Sequence, residues 1–284
     1  MLLMVSIGEG VYMVKNTKYQ LGIFSWFGFV LPLPQRLKLI KEAGFQATTL
    51  WWEDEFGAAN IKKESMPDIV RESGLVLENI HIPYNDCDDL WSEHKSTRAA
   101  IVNKYTAWLN DCAQYHIPIM VMHITDSLKL PPPRRNAQYG LDSLNRLLRV
   151  GEDLGVTIAI ENTGREDYIY FVLSELSSKY LGFCYDSSHN RIYGQDRLEL
   201  LEKVSHHIVT THLSDNDGIK DRHWLPGEGI INWPKLTNVF SRSQYNGYLT
   251  LEVYPTESQL KQTPACFLDQ AYQSASWISE LCQC

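Results

Sequence analysis

Six residues able to ligate a metal stand at the ends of short apolar runs between positions 81 and 252. His81 lies near the end of Leu77–Ile82, His123 ends Pro118–His123, and Glu161 ends Val156–Glu161. Asp186 follows Leu181–Tyr185, His212 ends His207–His212, and Glu252 lies in Tyr248–Val253. Neutral imidazoles and carboxylates bind zinc and manganese alike, and the same groups carry protons in acid–base catalysis. One histidine at a strand end is ordinarily a hydrogen-bonded structural residue, the reading that suits His94, His116, His206 and His207. Six ligand-type residues brought to one mouth would be costly to desolvate unless cations sat among them. The set therefore points to a site for divalent metal, zinc or manganese, with one to three ions. Local spacing adds to it. In Asp186-Ser-Ser-His189 the three-residue step puts both side chains on one side of a turn or helix start. In Asp221-Arg222-His223 an extended backbone would aim Asp221 and His223 the same way, so that one ion could take both. Gly227 and Gly229 in PGEG let the chain fold back beside them, while Asp215, Asp217 and Glu228 suit either partners of the histidines or solvated acids.

The elements that must position these residues alternate along the whole chain. Expected strands are Tyr19–Trp26, Ala47–Trp52 and the six runs above. Expected helices cover Pro34–Ala43, Met66–Ser73, Lys95–Tyr115, Ala137–Leu154, Tyr170–Lys179, Asp196–Val204, Trp233–Ser241 and Pro264–Leu281. Each strand is apolar enough to be buried on both faces, as in parallel sheets. Eight strand–helix units in 284 residues leave roughly 35 residues per unit, near the allowance of a (β/α)8 barrel. No G-x-G-x-x-G follows the first strand, which argues against an open dinucleotide-binding sheet. The expectation is an α/β chain with one barrel over 18–284 and an extension over 1–17. In such a barrel the strand ends share one face, where active sites of this architecture lie.

Composition narrows the partners. The chain has 34 acidic and 26 basic residues, a net charge of −8, so a nucleic-acid partner bound through a broad basic face is not expected. Six scattered cysteines lack a framework spacing and read as reduced thiols of a cytoplasmic protein. The apolar start is broken by Gly8, Glu9 and Gly10, unlike a signal peptide, and no stretch approaches the ~20 apolar residues of a membrane span. Oligomeric state leaves no mark. Basic residues near the expected mouth are few: Lys220, Arg222, and Arg134 and Arg135 in a long loop.

HIPY at His81, VMH at His123, IEN at Glu161, YDSSH from Tyr185, THLSD at His212, DRHWLPGEG from Asp221 and LEV at Glu252 together resemble the xylose isomerase-like TIM barrel superfamily, which holds sugar isomerases and epimerases and the endonuclease IV group. The resemblance to the epimerases implies one ion held by Glu161, Asp186, His212 and Glu252. The resemblance to the nucleases implies three: His81, His123 and Glu161 for the first, Glu161 bridging to the second, and His189, Asp221 and His223 for the third. Two enzymes follow. One is a metal-dependent isomerase or epimerase of a sugar or sugar phosphate, working through an enediolate, with Glu161 and Glu252 exchanging the proton and His189 and Arg222 on the oxyanion. The other is a trinuclear zinc phosphodiesterase acting at abasic sites, against which the acidic stretches after the second and third strands count. A barrel that binds a sugar without turning it over is the non-enzymatic alternative. Trp26, Trp51, Tyr84 and Trp91 are candidates to face the sugar, each with core packing as the competing role.

Overall fold

The computed structural model describes residues 3–6, 11–14, 19–194 and 198–283. Strands β1 (Leu3–Ser6) and β2 (Val11–Val14) pair antiparallel, Leu3 opposite Val14, as a two-stranded sheet of their own. The remainder of the 1–17 extension lies outside the described residues.

Eight parallel strands follow: β3 (Gln20–Phe24), β4 (Ala47–Trp51), β5 (Val76–His81), β6 (Ile119–Met122), β7 (Thr157–Glu161), β8 (Leu181–Asp186), β9 (Ile208–His212) and β10 (Tyr248–Leu251). From β3 to β9 each pairs with its neighbour, and β10 pairs with β3. Between β9 and β10 a bridge joins Leu213 to Leu251, with Leu213 N donating to Thr250 O at 2.9 Å and Glu252 N to Leu213 O at 3.2 Å. The sheet is thus a single (β/α)8 barrel, and its closing contact lies at the ends carrying His212 and Glu252.

The helices are α1 (Leu33–Glu42), α2 (Met66–Glu72), α3 (Lys95–Gln114), α4 (Ala137–Leu154), α5 (Glu166–Glu175), α6 (Ser187–Tyr193), α7 (Glu199–Val204), α8 (Trp233–Arg242) and α9 (Pro264–Leu281). Their ends follow local chemistry. Thr263 Oγ1 accepts Cys266 N at 3.2 Å to start α9, Asn232 Oδ1 accepts Lys235 N at 3.0 Å to start α8, and Gly155 ends α4 at φ 71°. Helix α5 begins four residues before the expected Tyr170, with Glu166 and Asp167 in its first turn, where the helix dipole favours acids. Of α6 the sequence suggests only a turn or helix start at Asp186–His189, and the helix runs on to Tyr193. The start expected for α7, Asp196, lies outside the described residues.

Inside the barrel the side chains fill in layers. Val121, Ala159 and Cys184 make a buried apolar group, each two residues before a ligand-type residue. The other side of this floor is polar. A bulge between β4 and β5 leaves Glu78 as the extra residue, and its carboxyl accepts hydrogen bonds from Thr210 Oγ1 at 2.7 Å and from Thr250 Oγ1. Burial pushes Glu78 up to about 7. Outside the strands, α1 buries Leu33, Leu37 and Ile40, and α4 buries Leu144, Leu147 and Leu148, each such side chain contributing roughly 1.5–3 kcal/mol.

Candidate functional site

The strand ends converge as the barrel requires. Glu161, at the end of β7, is 1% exposed and stands at the centre. Its Oε2 lies 2.9 Å from His81 Nε2 and 3.2 Å from His123 Nε2, and its Oε1 lies 3.0 Å from His212 Nδ1. The same His212 nitrogen is 3.2 Å from Glu252 Oε2. Three sets of ligand atoms each fit within 4.8 Å among the described residues: His81, His123 and Glu161; Glu161, Cys184 and His212; and Glu161, Asp186, His212 and Glu252. Asp186, at the end of β8, uses Oδ1 to accept His189 N at 2.6 Å, which caps α6 and aims His189 at the cluster.

Tautomers follow from the backbone. A carbonyl only accepts, so the nitrogen facing it carries a hydrogen. His81 Nδ1 donates to Ile82 O at 2.9 Å, His189 Nδ1 to Asn162 O at 2.8 Å, and His223 Nδ1 to Glu252 O at 3.1 Å. Each of these rings then turns Nε2 toward a carboxylate: Glu161 for His81, Asp221 for His189 and His223. A lone pair facing a carboxylate is repulsive, so a second proton or a cation must lie in each gap. Backbone carbonyls fixing the far nitrogen are the usual support of metal-bound histidines.

Electrostatics agree. Burial alone would raise the Glu161 carboxyl, but His212, His123 and His81 around it hold it well below the ordinary carboxylate range. Burial also opposes charge on His212 and His189, yet Cys184, Glu161 and Glu252 hold the first well above its ordinary value, and Asp186, Asp221 and Glu161 the second. Burial pushes Asp186 up to about 7, and its Oδ2 is buried without a hydrogen-bond partner. Two buried carboxylates, a third half-buried one, an imidazole and an orphaned oxygen suit a divalent cation: the site is short of positive charge and holds an acceptor with nothing to bind.

His189, Asp221 and His223 form a third group, joined through Asp221 Oδ2, which is 3.2 Å from His189 Nε2 and 3.1 Å from His223 Nε2. The chain does not reach this geometry by an extended segment. His223 has φ 52°, in the left-handed region, a conformation that costs about 1–2 kcal/mol outside glycine. Ser188 Oγ donates to Asp221 Oδ1 at 2.6 Å and steadies it. The loop acids left open by sequence are structural. Asp215 accepts Gly227 N at 3.0 Å, Ile231 N at 3.1 Å and Trp233 Nε1 at 2.8 Å. Asp217 accepts Ile219 N and Lys220 N, at 2.9 and 3.0 Å, and Glu228 accepts Gln259 Nε2 at 2.8 Å.

A cavity of about 650 Å³ opens above the cluster, and His81, His123, Glu161, His189, Asp221, His223 and Glu252 reach it. Asp186 and His212 lie beneath, fully buried. Of the expected sugar-facing residues, Trp26, Trp51 and Tyr84 line the cavity. Tyr84 stacks on His123 with ring centres 4.1 Å apart, and Trp51 on His81 at 5.1 Å. Trp91 does not line it. Its indole is 1% exposed, donates Nε1–H to Ile124 O at 2.7 Å and packs edge-on against Tyr168, so it belongs to the core. Arg222 is also absent from the cavity wall. Its Nε donates to Asp217 Oδ2 at 2.8 Å and its guanidinium lies over Trp224, contacts that hold it away from the cavity. Among the described residues the arginine or lysine that lines the cavity is Arg36 of α1, which sequence reasoning passed over. Its side chain is 2% exposed and pairs with Glu55.

The comparisons with known proteins agree with this architecture. The xylose isomerase-like TIM barrel family matches residues 37–270. A protein of Sinorhizobium fredii called uncharacterized protein y4fM is 27% identical over 253 residues, covering 76% of this chain and 79% of that one. Among solved structures, D-psicose 3-epimerase of Clostridium cellulolyticum H10 with D-tagatose superposes with a TM-score of 0.74 at 14% identity, over 93% of this chain and 100% of that one. L-ribulose 3-epimerase gives 0.74 at 15% over 93% and 95%, and the 3-keto-D-glucoside 4-epimerase of E. coli gives 0.68 at 16% over 93% and 100%. Such identities speak for the fold, and with the match across most of the sequence they close the question of kinship: the chain belongs to the xylose isomerase-like TIM barrel family.

Proposed function

We propose that this protein is a divalent-metal-dependent sugar isomerase or epimerase. The observation that carries the reading is that Glu161 and Glu252 both line the cavity and both reach His212 Nδ1, at 3.0 and 3.2 Å, with Asp186 in the same set. Two carboxylates on separate strands, flanking one nitrogen, suit a reaction that removes a proton on one side of a carbon and returns it on the other. Glu161, Asp186, His212 and Glu252 would hold zinc or manganese, which when bound supplies Lewis-acid polarisation of a carbonyl and its neighbouring hydroxyl.

The protein's own groups do the rest. Glu252, with a side chain 16% exposed, takes the proton from the carbon beside the carbonyl. Glu161, kept ionised by its imidazoles, serves the opposite face. His189, held protonated by the acids around it with its N–H groups on Asn162 O and Asp221, sets a positive charge in the cavity wall to offset the negative charge that gathers on the substrate oxygen. Trp51 and Tyr84 form an apolar wall beside the histidines and limit water. Glu53, Asp54 and Glu55 also line the cavity, which favours an uncharged sugar over a sugar phosphate. That the solved neighbours include sugar 3-epimerases and a 4-epimerase supports the same class.

The test is turnover in deuterated water with a panel of free ketoses and their phosphates. The expected result is solvent label at the carbon next to the carbonyl, with Glu252→Gln slowing it by about 10²–10⁴-fold while sugar binding stays measurable. A panel that gains no label at any carbon contradicts the proposal.

A phosphodiester hydrolase is the second reading, favoured by the His189–Asp221–His223 group, which a single-ion epimerase does not require. The acidic wall opposes it, since a phosphate backbone would be repelled there. Cleavage of an abasic duplex by the zinc-loaded protein at enzyme-like rates would overturn the epimerase proposal in its favour.

A further inference from the structure

Six barrel strands supply the ligand cluster; the two that do not, β3 and β4, are neighbours, and the loops after them build a separate wall of the same cavity. That wall is unusually well made for a surface the metal site does not need. Arg36 is 2% exposed, yet faces the cavity. One of its terminal nitrogens donates to Leu31 O at 3.2 Å and the other pairs with Glu55, while its Nε is buried with no hydrogen-bond partner. The guanidinium carbon lies 5.2 Å from the ring centre of Trp26. Glu55 is itself held in place, its N and O bonded to Ile61 O and N at 2.9 and 3.0 Å. The next residue, Phe56, lines the cavity while remaining 77% exposed.

Volume says how much ligand this wall can add. A single hexose displaces on the order of 200 Å³, about seven waters at a share of roughly 30 Å³ each. The cavity holds about 650 Å³, so one ring at the ligand cluster leaves more than half of it empty. The chemistry of the remainder is that of a sugar-binding surface: aromatic faces for the apolar side of a ring, and the Glu55 carboxylate, held by Arg36, to accept from a hydroxyl. An anion is not suited, because the Arg36 charge is already balanced by Glu55. Glu53 and Asp54 are engaged too, accepting Trp51 Nε1 at 2.6 Å and Lys62 Nζ at 2.5 Å.

We infer that the substrate carries two sugar rings: the reacting ketose at the ligand cluster and a second, uncharged ring on the wall formed by Trp26, Arg36, Glu55 and Phe56. The free oxygen of Glu55, which Arg36 holds in place, accepts from a hydroxyl of that second ring, and Trp26 and Phe56 supply its apolar contacts. This rests on the proposed sugar chemistry and specifies its substrate class.

The experiment is calorimetric titration of the full-length, manganese-loaded protein with D-fructose and with two ketodisaccharides of different linkage, lactulose and isomaltulose. The expected result is that at least one ketodisaccharide binds tenfold or more tightly than D-fructose, and that this ratio falls toward one in Arg36→Met and in Phe56→Ala. Phe56 is exposed, so its variant reports even where loss of the buried Arg36 prevents folding. Equal or weaker binding of both ketodisaccharides, with D-fructose still bound, overturns the two-ring inference and leaves the epimerase proposal standing. A ratio unchanged in Phe56→Ala overturns the assigned wall. Failure of all three sugars to bind overturns both.

Discussion

Each imidazole at the mouth has one nitrogen anchored by the fold or pointed at a shared acid, and the gaps between nitrogen and carboxylate admit either a proton or a metal ion. That exchange makes metal binding pH-dependent. Burial opposes charge on His223, but Asp221 and Glu252 raise the metal-free imidazole to about 9 from its ordinary value of 6.5. A raised folded-state pKa stabilises fully below 6.5 and its contribution is lost as pH rises through about 9. Bound metal replaces this proton, so the melting temperature gained on adding metal should grow across that window. Paired thermal melts with manganese and with chelator test this; a gain that stays flat or shrinks over the window speaks against ions at these histidines. The ligand-type residues were legible in sequence because each ends an apolar run, where type and position are both informative. Arg36 was not, because on α1 it reads as one more charge on an amphipathic helix; only the folded chain shows it turned inward beside Glu55. Arg222 was misplaced because nearness along the chain to Asp221 and His223 stood in for direction.

At the scale of elements, α6 is the instructive piece. Its seven residues, SSHNRIY, include few strong helix formers, so no periodic pattern announced it. The helix forms because Asp186 caps it, and the same carboxylate belongs to the ligand set. The two roles can be separated. Asparagine caps helices about as well as aspartate, so Asp186→Asn should melt within about 1 kcal/mol of the parent while losing tight metal binding. Chemical denaturation and metal titration measure the two; retained affinity would remove Asp186 from the ligand set. Trp91 offers a second separation. A Cβ added at Gly140 of α4 would lie 2.1 Å from the indole. Gly140→Ala should therefore destabilise the protein by about 1–3 kcal/mol, read from the denaturation midpoint. An undisturbed midpoint would contradict the tight packing that places Trp91 in the core. The start of α5 was misjudged for a related reason: its first turn is acidic rather than apolar, and capping chemistry rather than periodicity sets it.

For the whole molecule, the barrel was readable because eight doubly buried strands alternating with amphipathic segments leave few alternatives. What the alternation could not show was the seam, where Leu213 and Leu251 join the ends that bear His212 and Glu252, since contacts between distant segments leave no local periodicity. The polar floor of Glu78, Thr210 and Thr250 was hidden likewise, because a bulge breaks the alternation there. Net charge and cavity lining act together to repel ligands of the same sign: with −8 overall and acids on the cavity wall, ketose phosphates should bind at least about tenfold more weakly than the free ketoses at low salt, the gap narrowing as salt screens it. Inhibition or calorimetric titration over a salt series measures this, and tighter binding of the phosphates would refute it. The central claim is that carboxylates and an imidazole from four strands share a divalent ion. Anomalous diffraction from crystals of the manganese-loaded protein tests it most directly. The account predicts a peak at about 2.0–2.2 Å from ligand atoms of Glu161, Asp186, His212 and Glu252; a map with no peak among these four residues would contradict it.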